Sequence, residues 1–190
     1  MSESPIDYNY IRAEGKAGRM SVKLMTIVVE SPKGRIYLSP SDEQLSIALQ
    51  AQPMWSPEIE LPNNPRDFKT TNYGLTKFSD LFTPRQLVAL TTFSDLVQEA
   101  RANAKIDAVA KGLVDDGLGL DAGGSGATAY ADAVSVYLGL GVSRLADISN
   151  ALCSWETSKT QVRHLFTKQA IPMLWDFGEN NLFNGAAGDY

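Results

Sequence analysis

Phe82-Thr83-Pro84-Arg85-Gln86-Leu87 is the most informative short stretch in the sequence. A threonine before proline, with glutamine three residues on, is the signature of a capped helix start. The Thr83 hydroxyl and the Gln86 side chain satisfy free amides reciprocally, and Pro84 takes the first helical position, where its missing N–H costs nothing. Phe82 and Leu87 flank the cap as a hydrophobic staple. From here Leu87, Leu90, Phe93 and Val97 mark one apolar face, which predicts a helix to about Ala104. A glycine- and aspartate-rich stretch between Gly112 and Gly126 interrupts the helical pattern. A second long helix is expected from about Thr128 to Leu152, with Tyr130, Val134, Tyr137, Leu138, Leu145 and Ile148 on its apolar side. A third is expected from near Thr157, carrying Val162, Leu165, Phe166, Leu174, Trp175 and Phe177, kinked or split at Pro172.

Towards the N-terminus the pattern changes. Ser21–Glu30 (SVKLMTIVVE) reads as a strand, Ser31-Pro32-Lys33-Gly34 as a turn, and Gly34–Leu38 as a returning strand. Ser41-Asp42-Glu43-Gln44 repeats the capping box, so a short helix should run to about Ala51. Residues 52–79 contain Pro53, Pro57, Pro62 and Pro65, which forbid a long helix and imply an extended, surface-hugging connection. The expected fold is α+β. A hairpin unit with a short helix occupies residues 1–52, a proline-rich connection 53–80, and a larger helical half with three long helices 81–190. Because a lone two-stranded hairpin is barely stable in water, this one needs a partner.

Apolar residues form 44% of the 190-residue chain and the net charge is −5. That is globular rather than disordered composition. The N-terminus has neither a basic region nor an apolar core, and no apolar run is long enough to span a bilayer. Cys153 is the sole cysteine, which excludes an internal disulfide framework and fits a reducing cytosol. Residues 1–37 carry a charge balance of +2 and the remainder −7. An acidic chain is a poor free-standing nucleic-acid binder, though a local basic strip can serve where a larger protein supplies further positive surface.

Candidate chemistry is sparse. Cys153 and His164 cannot supply the three or four ligands of a zinc site, and as a nucleophile–base pair they compete with a plain reading as a buried thiol and a solvent-edge histidine. Gly124, Gly126 and Ala129 match G-x-G-x-x-A before a helix, with Asp147 at about the distance of a ribose contact. The strand that a dinucleotide site requires before the motif is missing, and Asp147 falls on the same helix. The competing reading is a flexible loop whose glycines allow tight entry into the helix. Arg12, Lys16 and Arg19 stand among small residues that would admit a phosphate closely, or form a solvated loop before the strand. The aromatics Trp155, Phe166, Trp175 and Phe177 read as core rather than as a stacking platform.

Four stretches, Tyr10–Met20 (YIRAEGKAGRM), Phe78–Ala100 (FSDLFTPRQLVALTTFSDLVQEA), Ala122–Leu138 (AGGSGATAYADAVSVYL) and Gln169–Phe183 (QAIPMLWDFGENNLF), together resemble a family of large adenine-specific DNA methyltransferases with an embedded zinc ribbon. The resemblance implies that S-adenosylmethionine binds an F-x-G-x-G-like loop and that a Pro-Pro-Tyr motif holds the flipped adenine. Neither motif occurs here, and no cysteine pairs of a ribbon are present. No catalytic, metal or cofactor residue therefore carries over; S-adenosylmethionine and zinc belong to the parent protein. The implied role is a non-catalytic internal segment between the donor-binding and catalytic parts. It would pack beside the catalytic domain and contact DNA through Arg12, Lys16, Arg19 and Arg85, with Gly123, Gly124, Ser125 and Gly126 in a mobile loop near the parent's active site. The alternative is a structural or protein-interaction module without nucleic-acid contact, whose apolar surface is covered by the parent or in a homodimer. A third possibility, a self-contained enzyme, would need a methyl-donor site built from the Gly123–Gly126 loop.

Overall fold

Two antiparallel helices form the spine of the molecule. The computed structural model describes residues 5–64, 66–166 and 169–183. In chain order the elements are α1 (Tyr8–Lys16), β1 (Ile27–Ser31), β2 (Gly34–Leu38), α2 (Asp42–Leu49), α3 (Pro84–Ala110), α4 (Ala127–Ile148), β3 (Trp155–Glu156) and β4 (Gln161–Val162). Single 3₁₀ turns lie at Thr70–Tyr73, Phe78–Leu81 and Leu120–Ala122. The fold is α+β, with a small two-stranded antiparallel hairpin near the N-terminus and four helices.

Both capping boxes form as the sequence dictates. The Thr83 and Ser41 hydroxyls accept from the amides of Gln86 and Gln44, whose side chains accept from the cap amides in return. With its start fixed, α3 runs to Ala110, past the expected end, because nothing between Ala104 and Ala110 opposes helix and Gly112 (φ +94°) supplies the left-handed turn beyond it. The hairpin pairs Ile27 with Leu38 through Ser31 with Gly34, so β1 is shorter than the sequence pattern suggests.

The third long helix does not form in the described residues. After α4 the chain makes a two-residue-per-strand hairpin, pairing Trp155 with Val162 and Glu156 with Gln161, and then runs irregularly. Thr157, Thr160, Val162 and Pro172 disfavour helix locally. Burial settles the competition: Leu165 and Ile171 join Leu61, Leu81, Leu152 and Cys153 in one core cluster, with Phe68, Phe78 and Leu174 packed on it. The proline-rich connection thus supplies core, through Leu61, with Phe68 and Phe78 packed on it, rather than skirting the surface. Its backbone is satisfied by this same segment, since Lys69 N donates to Ile171 O (3.0 Å) and Ile171 N to Asp67 O (2.7 Å). A second cluster joins Leu90 of α3, Leu145 of α4 and Leu182.

The apolar stripe of α4 divides. Leu145 and Ile148 are buried where α4 meets the body, whereas Tyr130, Tyr137 and Leu138 are exposed further out. The α3–α4 pair therefore projects as an arm, with residues 111–126 at its tip. No helix among the described residues is long and apolar enough to cross a membrane.

Candidate functional site

The arm's tip holds the glycine loop, and three carboxylates decide its structure. Asp115 accepts from Thr128 N (3.0 Å) and Thr128 Oγ1 (3.0 Å), and pairs with Lys105 Nζ at 2.9 Å. Asp116 accepts from Ser125 N (2.9 Å) and Leu118 N (3.1 Å). Asp132 accepts from Leu120 N (3.0 Å) and Arg101 Nε (2.6 Å). The Lys105 ammonium, followed by the Thr128 donors, holds the Asp115 carboxyl well below the ordinary carboxylate range. Backbone donors from Ser125 and Leu118 lower Asp116, and the Leu120 amide and then the Arg101 guanidinium lower Asp132.

This arrangement answers the G-x-G-x-x-A pattern. A helix N-terminus with free amides is an anion site in general, but here the chain's own Asp115 and Asp116 occupy it. A Cβ on Gly126 would stand 2.6 Å from Asp116 N and 2.7 Å from Val114 O, and one on Gly124 would run into the Leu118 carbonyl. The glycines admit the preceding backbone rather than a pyrophosphate. Gly123 (φ +77°) turns the chain left-handed after the 3₁₀ turn, and Ser125 stays exposed. The result is a cross-tied loop in place of the loose one the glycines suggest. The carboxylates escape notice in the sequence because they are scattered; the one usable signal is Asp115-Asp116-Gly117, whose side chains cap amides two residues on (Gly117 N and Leu118 N) as Asx turns do.

Two of the four basic candidates, Arg19 and Arg85, are engaged by carboxylates of the chain itself. Arg12 and Lys16 lie on α1, one turn apart, in a segment the sequence reads as a strip or loop. Asp7 caps this helix by accepting from Tyr10 N at 2.7 Å. Gly15 allows α1 to cross the Thr70–Tyr73 turn: a Cβ there would meet the Tyr73 carbonyl group, and one on Gly74 would meet that of Gly15. The Arg12 guanidinium sits 5.8 Å from the Tyr73 ring centroid, and Tyr73 meets Trp175 edge-on at 5.1 Å. Lys16 is exposed. Arg19 is bound to Glu14 by two hydrogen bonds of 2.7 Å. Arg85 is similarly bidentate to Glu179 (2.8 and 2.6 Å) and donates to Ala48 O at 2.9 Å. Arg85 thus ties α2, α3 and the C-terminal segment together.

Cys153 and His164 converge on Asp147 without forming a nucleophile–base pair. The Asp147 carboxylate contacts His164 Nδ1 (2.8 Å) and accepts from Phe166 N (2.8 Å), while its carbonyl accepts from Leu165 N (3.0 Å) and the Cys153 thiol (3.4 Å). Cys153 is fully buried, and burial pushes its thiol up to about 11. A neutral, enclosed thiol is a poor nucleophile. Asp147 works as a junction between the end of α4 and the irregular segment, not as a ribose ligand. The described residues contain no group of three or more His, Cys, Asp or Glu side chains able to hold a metal. Compared with family models, with curated proteins and with solved structures, the chain matches none.

Proposed function

We propose that this chain is a non-catalytic segment of an S-adenosylmethionine-dependent adenine DNA methyltransferase, packing beside the catalytic domain and lending it a DNA contact. The resemblance of the four stretches suggests the family. The observation that carries the docking role is the uncovered N-terminal unit. Ile36, Tyr37 and Leu38 of β2 and Leu45, Ile47 and Leu49 of α2 are exposed, and neither element contains a buried residue. The hairpin is tethered to the body by Arg35 donating to Thr160 Oγ1 (3.3 Å) and by Trp155 Nε1 donating to the Tyr37 hydroxyl (3.2 Å). A hairpin so lightly held gains its stability from a surface that covers it. Hydrogen exchange tests this: the β1–β2 amides should exchange quickly in the 190-residue chain and slowly within the full-length enzyme. Equal, slow exchange in both would remove the docking role.

The DNA contact rests on Arg12 and Lys16, presented by α1, with Arg12 against the Tyr73 ring. Anisotropy of a labelled duplex against salt should give weak binding that steepens at low ionic strength, with Lys16→Ala reducing the log–log slope by about 0.9. No binding at low salt would reject the contact. The pairing of Arg19 with Glu14 and of Arg85 with Glu179 favours the second reading, an interaction module without nucleic acid, which that outcome would leave standing.

A further inference from the structure

Helix α1 has little of its own to hold it. At nine residues it is shorter than the ~12–15 that an isolated helix needs in water, and Gly15 weakens it further. None of its residues is buried; Ile11, Glu14 and Gly15, at the spacing of one helix face, are the half-buried ones. The chain that follows, Ala17 to Lys23, is exposed throughout. No backbone hydrogen bond joins α1 to the Thr70–Gly74 turn that it crosses. What seats the helix there is the meeting of two glycines. A Cβ on Gly15 would strike the Tyr73 carbonyl oxygen, and one on Gly74 would strike that of Gly15. Both obstacles are backbone, so neither can rotate out of the way. The turn underneath is fixed without α1: Thr70 is fully buried, and Lys69 N donates to Ile171 O at 3.0 Å. Slack at the crossing therefore belongs to the helix. The Tyr73 ring has a neighbour on each side. The Arg12 guanidinium of α1 lies 5.8 Å from its centroid, and the ring of Trp175, in the irregular C-terminal segment, meets it edge-on at 5.1 Å.

We propose that α1 is a releasable strap, latched on the Thr70–Gly74 turn by the glycine crossing, and that Tyr73 relays its docked or released state to the C-terminal segment at Trp175. When α1 lifts, Arg12 leaves the Tyr73 ring. The ring then reorients, and the indole packed against it follows. Two contacts that share one ring bias the same two-state element, so the coupling runs both ways: a displaced Trp175 loosens α1 as well. The device does not depend on the methyltransferase reading.

Gly15→Ala in the 190-residue chain tests the latch, because helix propensity and seating predict opposite signs. Alanine favours the helical state roughly fivefold over glycine, so a free-standing α1 would exchange its amides more slowly in the variant. A latched α1 loses its seat, and the amides of Ile11–Lys16 should exchange at least about tenfold faster by NMR. Fluorine NMR of the fluorotryptophan-labelled protein reads the relay. The Trp175 resonance should shift in Gly15→Ala while those of Trp55 and Trp155 stay in place. Arg12→Ala, which leaves the crossing intact, should move Trp175 in the same direction by less, so the relay stays testable if the alanine at Gly15 disturbs the turn. Trp175→Ala should in turn speed exchange in α1 by about fivefold. Slower or unchanged exchange in Gly15→Ala overturns the latch. Faster exchange with an unmoved Trp175 resonance overturns the relay.

Discussion

Replacing Arg85 with alanine separates a structural strut from a DNA ligand. The guanidinium makes two short bonds to Glu179 and one to the Ala48 carbonyl, with the paired side chains 34% and 27% exposed. Solvent screening limits the ion pair, so even its bidentate geometry is worth about 1 kcal/mol, the upper end for surface pairs. The bond to Ala48 O adds about 1 kcal/mol. Arg85→Ala should therefore cost about 2 kcal/mol and Glu179→Ala about 1 kcal/mol, with a coupling near 1 kcal/mol in the double-mutant cycle. For a domain of this length the first change lowers Tm by about 4–8 °C. Denaturant titration of the four proteins measures the cycle, and duplex anisotropy on the same samples measures DNA affinity. Arg85→Ala should lower stability and leave DNA binding nearly unchanged. Unaltered stability with a clear loss of DNA binding would refute the strut and make Arg85 a phosphate ligand.

Other substitutions read the remaining parts of the molecule. Leu145→Ala should cost about 3 kcal/mol by opening a cavity between α3 and α4, whereas Tyr137→Ala on the same stripe should change monomer stability by less than about 0.5 kcal/mol; thermal melts of both at low concentration check the division of α4. Cys153, with its thiol near 11, should be about 0.1% thiolate at pH 8, against about a quarter for a free cysteine, so Ellman's reagent should modify native protein at least ~100-fold more slowly than unfolded. Asp115, Asp116 and Asp132 have folded-state values below their unfolded ones, so their stabilisation is fully present above about pH 5 and is lost as pH falls through the lowered values. The melting temperature should accordingly decline below pH 4, and Asp115→Asn should flatten part of that decline; an unchanged acid limb would remove Asp115 from the tip.

Local chemistry made some elements legible in the sequence. The capping boxes at Ser41 and Thr83 depend on residues three apart, and the Ser31–Gly34 turn on four in a row, so each is written in a short window. The larger failures are non-local. Residues 157–177 have apolar spacings that suit a helix, yet Leu165 and Ile171 gain more by packing in one cluster with Leu61 of the proline-rich stretch, a contact between segments about a hundred residues apart. Helix α1 is hard to read in the sequence because Gly15 weakens it locally; what holds it is the close crossing over Tyr73 and Gly74. At the candidate sites, the glycine pattern correctly marks a close backbone approach to a helix start. The occupant could not be read, because Asp115 and Asp116 reach Ser125 and Thr128 only once the loop has folded back. Arg85 looked like a free cation for the same reason, its partner Glu179 lying 94 residues away.

The central claim, that this chain is one segment of an adenine DNA methyltransferase, is tested most directly by sequencing the full-length transcript that encodes it. The account predicts a frame continuous with these residues that encodes an F-x-G-x-G-like loop and a zinc ribbon before them and a Pro-Pro-Tyr motif after. A transcript with neither motif in the same frame or in an adjacent one would contradict it.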